Sequence, residues 1–146
     1  MDQIFKDKEC RNNNKVIAEK ETLLLIIDMQ EKLISNIKGN KLLTFNIKKL
    51  IDACNLLNTR IAITEQNPLK LGRTLESILE RKEYPMFEKM EFSCSKKIDF
   101  SNYLNENNFK NIIVCGIESH ICILQTWIDL LEKGFNVLIP RDAIGS

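Results

Sequence analysis

Thr22-Leu23-Leu24-Leu25-Ile26-Ile27-Asp28 is an unbroken apolar, partly β-branched run that ends on a carboxylate. It does not alternate between apolar and polar, so both of its faces must be buried. That is the pattern of a strand inside a parallel sheet covered by helices. Residues 60–64 (RIAIT), 111–116 (NIIVCG) and 136–140 (NVLIP) repeat the pattern further along the chain, the run 111–116 stopping at a glycine. Helical segments separate them. Gly39-Asn40 breaks the chain, after which Leu43, Ile47, Leu50, Ile51, Cys54 and Leu57 keep helical spacing. Residues 74–80 read as a short helix with Thr74 as its candidate cap, and residues 99–106 as another. A longer helix covers 120–133 and is closed by Gly134. Residues 65–72 read as a loop because Pro68 and Gly72 both interrupt regular structure. Residues 85–95 read as a loop with a brief strand, anchored by Phe87 and Phe92 around Glu88, Lys89 and Glu91. Strands alternating with helices imply right-handed βαβ units and an α/β fold with a parallel sheet. Sites in such sheets form beyond the carboxyl ends of the strands. Asp28 ends one strand and Cys122 lies just past another, so both point to the same sheet edge.

The bulk composition narrows the function. A chain of 146 residues with 44% apolar content suits one domain with a core. The net charge is +1 with both signs scattered, which predicts neither a nucleic-acid partner nor an acidic membrane partner. Residues 1–20 form a polar arm without the apolar stretch of a secretory signal. The longest apolar run, residues 23–27, is far too short to cross a bilayer. A soluble, cytoplasmic protein is expected. The five cysteines, Cys10, Cys54, Cys94, Cys115 and Cys122, are odd in number and irregularly spaced, which argues against a disulfide framework. His120 is the sole histidine, no two cysteines share a ligand spacing and no acidic cluster stands out, so no metal is expected. Neither GxGxxG nor GxxxxGK[ST] occurs, which leaves a nucleotide-binding doubly wound domain without its phosphate loop. No cofactor is expected.

Several side chains are candidates for chemistry. Cys122 opens a helix after the turn of residues 116–121. There the positive end of the dipole lowers a thiol pKa and favours the nucleophilic thiolate. A buried, inert helix cysteine fits the same position. Asp28 is either a turn or cap residue or a site group. Lys89, flanked by aromatics, either snorkels to solvent or lies buried beside Cys122, where it would stabilise the thiolate and the ionised Asp28. His120 is a candidate general base, but it sits two residues from Cys122 without an evident orienting partner, so a structural or pocket-wall role is favoured. Trp127 and Ile123 fit the helix core. Glu65 and Gln66 follow a strand end and are candidates for substrate contact.

Taken in order, three segments resemble the isochorismatase-like hydrolases. They are Leu25-Ile26-Ile27-Asp28-Met29-Gln30, residues 87–93 around Lys89, and residues 116–123 around Cys122 with Gln125-Thr126 behind it. Residues 64–68 with Leu71-Gly72 are similar to the branch of isochorismatase domain-containing proteins. The resemblance covers about residues 20–146. It implies a three-layer α/β/α domain over residues 21–146 with a mainly parallel sheet. It also implies an Asp–Lys–Cys triad carried by Asp28, Lys89 and Cys122, acting on a small-molecule substrate. Backbone N–H groups of Glu118 and Cys122 would form the oxyanion hole, and Gln66, Phe92 and His120 are candidate substrate-pocket residues. The peptide entering Glu118 is often cis in the family, and a homo-oligomer is the common assembly.

The departures from the family's patterns refine the expectation. The histidine-rich metal site of nicotinamidases has no counterpart here. True isochorismatases cleave a vinyl ether and often lack the cysteine, so Cys122 favours covalent catalysis on an amide-type C–N bond. Family members usually continue through another helix and commonly a strand, so the domain is expected to be incomplete at its C-terminus. Two alternatives follow: a catalytically silent or truncated domain acting as an oligomer partner, and vinyl-ether hydrolysis of the isochorismate type.

Overall fold

The computed structural model describes residues 18–80 and 82–146. Most of the polar arm expected over residues 1–20, with Cys10, lies outside the described residues. The strands are β1 (Thr22–Ile27), β2 (Arg60–Gln66), β3 (Met86–Lys89), β4 (Asn111–Ile117), β5 (Asn136–Leu138) and β6 (Ile144–Gly145). The helices are α1 (Glu31–Ile34), α2 (Asn40–Leu56), α3 (Pro68–Leu71), α4 (Glu76–Leu79), α5 (Ile98–Glu106) and α6 (Leu124–Glu132). The sheet is parallel throughout, in the order β3-β2-β1-β4-β5. β4 continues past β5 and pairs with β6 through Gly116 and Ile117.

β1 is the central strand, and all six of its residues are buried. Its side chains divide by parity, as strand geometry requires. Leu24 and Ile26 enter a cluster with Ile47 and Ile51 of α2 and Ile78 of α4. Leu23, Leu25 and Ile27 enter a second cluster with Phe100 and Leu104 of α5 and with Ile123 and Leu130 around α6. Two cores separated by one sheet make the three-layer α/β/α architecture that the resemblance implied, and they bury both faces of β1 as its apolar run predicted. Each buried leucine or isoleucine contributes about 1.5–3 kcal/mol, and the central strand alone supplies five.

The boundaries differ in instructive ways. The apolar stripe of α2 holds except at Leu57, which caps the helix and stays exposed. Thr74 does not cap α4, since Leu75 takes that position and the Thr74 hydroxyl donates instead to Glu65 Oε1 at 2.8 Å. The loop expected over 65–72 contains the single-turn helix α3, with Pro68 where a proline starts a helix without loss. β4 does not stop at Gly116 but runs through it to Ile117. Lys89 closes β3, in register with Gln66, rather than sitting in a loop. Trp127 is not core, because more than a third of its surface remains exposed.

Candidate active site

Three neighbouring strands end together, and the turn after a fourth closes over them. β1 ends at Ile27, which pairs with Thr64 of β2 on one side and Gly116 of β4 on the other. Asp28 then turns left-handed with φ of 53°, a conformation that aspartate tolerates better than most residues. The turn places its carboxylate, with no exposed surface, above the strand ends. The Thr64 hydroxyl donates to Asp28 Oδ1 at 2.8 Å. Lys89 Nζ donates to Asp28 Oδ2 at 2.8 Å, and both side chains are 0% exposed. Neither residue plays the solvated or capping part that its position also allowed. Buried charges are retained when they are paired and hydrogen-bonded, as these are.

The Lys89 ammonium has further partners. It donates to Gln66 Oε1 at 2.7 Å and to the Glu91 carbonyl at 3.3 Å. The Gln66 amide is completed by donation from Nε2 to the Met90 carbonyl at 2.9 Å. Glu65, the neighbouring candidate, is occupied internally. Its carboxylate receives Thr74 N–H at 2.6 Å, the Thr74 hydroxyl and the Arg73 guanidinium.

Cys122 approaches from the other side of Asp28. It lies in a π-helical turn, Ser119–Ile123, that precedes α6. Such turns are frequent at functional sites. The Glu118 carbonyl accepts the N–H groups of Ile121 and Ile123 at 3.2 Å each, passing over that of Cys122. The peptide entering Glu118 is trans, as are all the described peptide bonds, so the cis bond that the resemblance implied is not present. The Cys122 thiol also departs from expectation. Burial pushes its pKa up to about 12, with the Asp28 carboxylate adding to the rise and the Lys89 ammonium opposing it. Loss of hydration outweighs the helix dipole, so the resting sulfur is a neutral thiol beside an ion pair.

The remaining candidates lie at the surface. Phe92 is 51% exposed, three residues past Lys89. His120 is exposed two residues before Cys122, with Nδ1 at 2.9 Å from Ser146 Oγ and 3.7 Å from Glu118 Oε2. Among the described residues no group of three or more His, Cys, Asp or Glu side chains is placed to hold a metal ion. Sequence reasoning missed two participants. Thr64 could have been found as the polar residue closing the strand next to β1. Gln30, with a wholly buried side chain, sits two residues beyond Asp28.

Comparison with known proteins identifies the family and the fold. The family model described as the isochorismatase domain matches residues 22–146. Isochorismatase family protein 1A of Dictyostelium discoideum is 36% identical over 137 residues, covering 89% of this chain and 66% of that protein. The chain thus spans about two thirds of the length of such relatives. The structure of the MAR1 ribonuclease from Caenorhabditis elegans superposes with a TM-score of 0.83 at 37% identity, covering 89% of this chain and 67% of that one. The ycaC gene product of Escherichia coli, described as an octameric hydrolase of unknown specificity, shares the fold with a TM-score of 0.82 at 19% identity. It is covered over 88% of this chain and 65% of its own.

Proposed function

The chain belongs to the isochorismatase family, and from that premise we propose that it is a cysteine-dependent hydrolase of a small-molecule amide-type C–N bond. The observation that carries the reading is the fully buried Lys89–Asp28 pair at 2.8 Å, with both charges acting on the Cys122 thiol. A neutral thiol next to a carboxylate is the correct resting state for attack coupled to proton transfer. Cys122 Sγ bonds to the carbonyl carbon while its proton passes to Asp28. The oxyanion is held by the backbone N–H groups of Glu118 and Cys122, where loss of one donor typically costs about 10²–10³ in rate. The intermediate collapses, the C–N bond breaks and Asp28 returns the proton to the leaving nitrogen. Water then attacks the thioester with Asp28 again accepting its proton, releasing the acid and restoring the thiol. Lys89 keeps Asp28 oriented and balances its charge. Phe92 and His120, exposed beside the Lys89 and Cys122 segments, are the proposed walls of the substrate entrance.

The net charge of +1 supports a small substrate rather than the RNA that the nematode relative's name refers to. The four described cysteines are free, which supports a reducing compartment such as the cytoplasm. No described helix is long and apolar enough to cross a membrane. Copies of the chain are proposed to associate through α6, where Leu124, Trp127, Ile128 and Leu131 leave an apolar stripe exposed. The test of the activity is a screen of small amides with Cys122→Ala as the blank and intact-mass detection of an acyl adduct. Turnover and an adduct that both vanish in Cys122→Ala are expected. Equal turnover in the blank would overturn the covalent mechanism.

A further inference from the structure

We propose that Gln30 is a positioning residue, whose buried side-chain amide takes the place of a missing strand and thereby aims Gln66 at the Lys89 ammonium. The proposal rests on the triad reading above, in which Lys89 and Asp28 serve Cys122.

The need arises from the turn at Asp28. The last β1–β2 partners are Ile27 and Thr64, after which the left-handed Asp28 carries the chain out of register. β2 nevertheless continues to Gln66, which pairs with Lys89 of β3 on its far side. On its near side the Gln66 backbone has lost its strand partner. The Gln30 side chain fills that place. Its Oε1 accepts the Gln66 N–H at 2.7 Å, and its Nε2 donates to the Gln66 carbonyl at 2.9 Å and to the Gly72 carbonyl at 2.7 Å. Only a carboxamide offers an acceptor and a donor side by side without charge, which reproduces one peptide unit of a sheet. The Gln30 side chain is wholly buried, while its partners Gln66 and Gly72 are partly so. The contacts then run in series. Gln30 fixes the Gln66 backbone, the Gln66 Oε1 receives Lys89 Nζ at 2.7 Å, and Lys89 reaches Asp28 at 2.8 Å.

A purely structural glutamine would affect stability and leave the electrostatics of the folded site alone. A positioning glutamine affects Cys122 in the folded protein. Asp28 and Lys89 are the charged groups facing that thiol. The first disfavours its ionisation and the second favours it. A loosened Lys89 leaves Asp28 dominant and makes the thiolate harder to form.

The readout is the pH profile of Cys122 alkylation by iodoacetamide, resolved by peptide mass spectrometry on the full chain from neutral to about pH 10. Folding of each variant is checked by circular dichroism. Gln30→Met and Gln66→Met are expected to move the profile to higher pH, slowing alkylation at a fixed pH by about threefold or more. The double variant should shift no further than the larger single one, because the two residues act in one chain of contacts. Gln30→Asn keeps the amide but withdraws it by one methylene. It should shift in the same direction, and it decides the matter if Gln30→Met does not fold. An unmoved profile in the folded Gln30 variants, or in Gln66→Met, overturns the proposal. Asp28→Asn tests the underlying reading separately, since removing the carboxylate should move the profile to lower pH. If that variant leaves it unmoved, the triad reading itself fails.

Discussion

Lys89 holds a full charge with no exposed surface, and its stability depends on one carboxylate. Replacing it by methionine keeps the stem and leaves Asp28 facing only neutral groups, the Thr64 hydroxyl and the Cys122 thiol. Removing one partner of a buried pair typically costs about 3–5 kcal/mol. Lys89→Met is therefore expected to lose that much in urea unfolding, and a loss below about 1 kcal/mol would mean that water reaches Asp28. At this scale the sequence identified which residues to watch but not their states. Aromatic neighbours made Lys89 ambiguous between snorkelling and burial, and only the register with Gln66 decides it. The helix position of Cys122 argued for a lowered pKa, whereas burial and Asp28 act in the opposite sense and win. Gln30 was not legible as a site participant, because nothing in a string of letters says which backbone an amide will grip.

Among the elements, β1 and β4 leave no room for a side chain at Gly116. Its φ is +120°, and a Cβ there would meet the Ile27 carbonyl oxygen at 2.1 Å. Gly116→Ala combines backbone strain of about 1–3 kcal/mol with overpacking of about 1–3 kcal/mol, against backbone that cannot swing aside. A loss of about 2–6 kcal/mol in thermal or urea unfolding is expected. A loss under about 1 kcal/mol would mean that the two strands separate freely. The long elements were readable because their apolar residues set a period or an unbroken run. The single-turn helices α1 and α3 were not, although α4, of the same length, lies within the short helix read over residues 74–80. Thr74 looked like a cap because caps are local, while its real partner, Glu65, is reached only through the tertiary fold.

Across the whole molecule, the outer face of α6 remains uncovered. Leu124, Trp127, Ile128 and Leu131 recur at helical spacing, and each is between 37% and 45% exposed. The α6 period was legible in the sequence, but which of its apolar residues face the sheet was not. Ile123 turned inward and Trp127 outward. If this stripe joins copies of the chain, light scattering should give a multimer for the wild type and a smaller species for Trp127→Lys, with circular dichroism unchanged. A wild-type monomer at high concentration would exclude self-association.

The central place of β1 also bears on how the protein is made. Its partner on one side is β2, but on the other it is β4, so Leu25 must find Val114 across most of the described chain. Parallel pairing over such separations is slow, because the entropy of closing a long loop is lost before any contact compensates for it. Asp28 and Lys89 come from opposite ends of one half of the sheet, and Cys122 follows the strand that docks from the other half. During refolding, the proposed hydrolytic activity should therefore return with the final docking of β4 on β1, well after helix content recovers, and an arrested chain would carry two charges without the Cys122 thiol beside them.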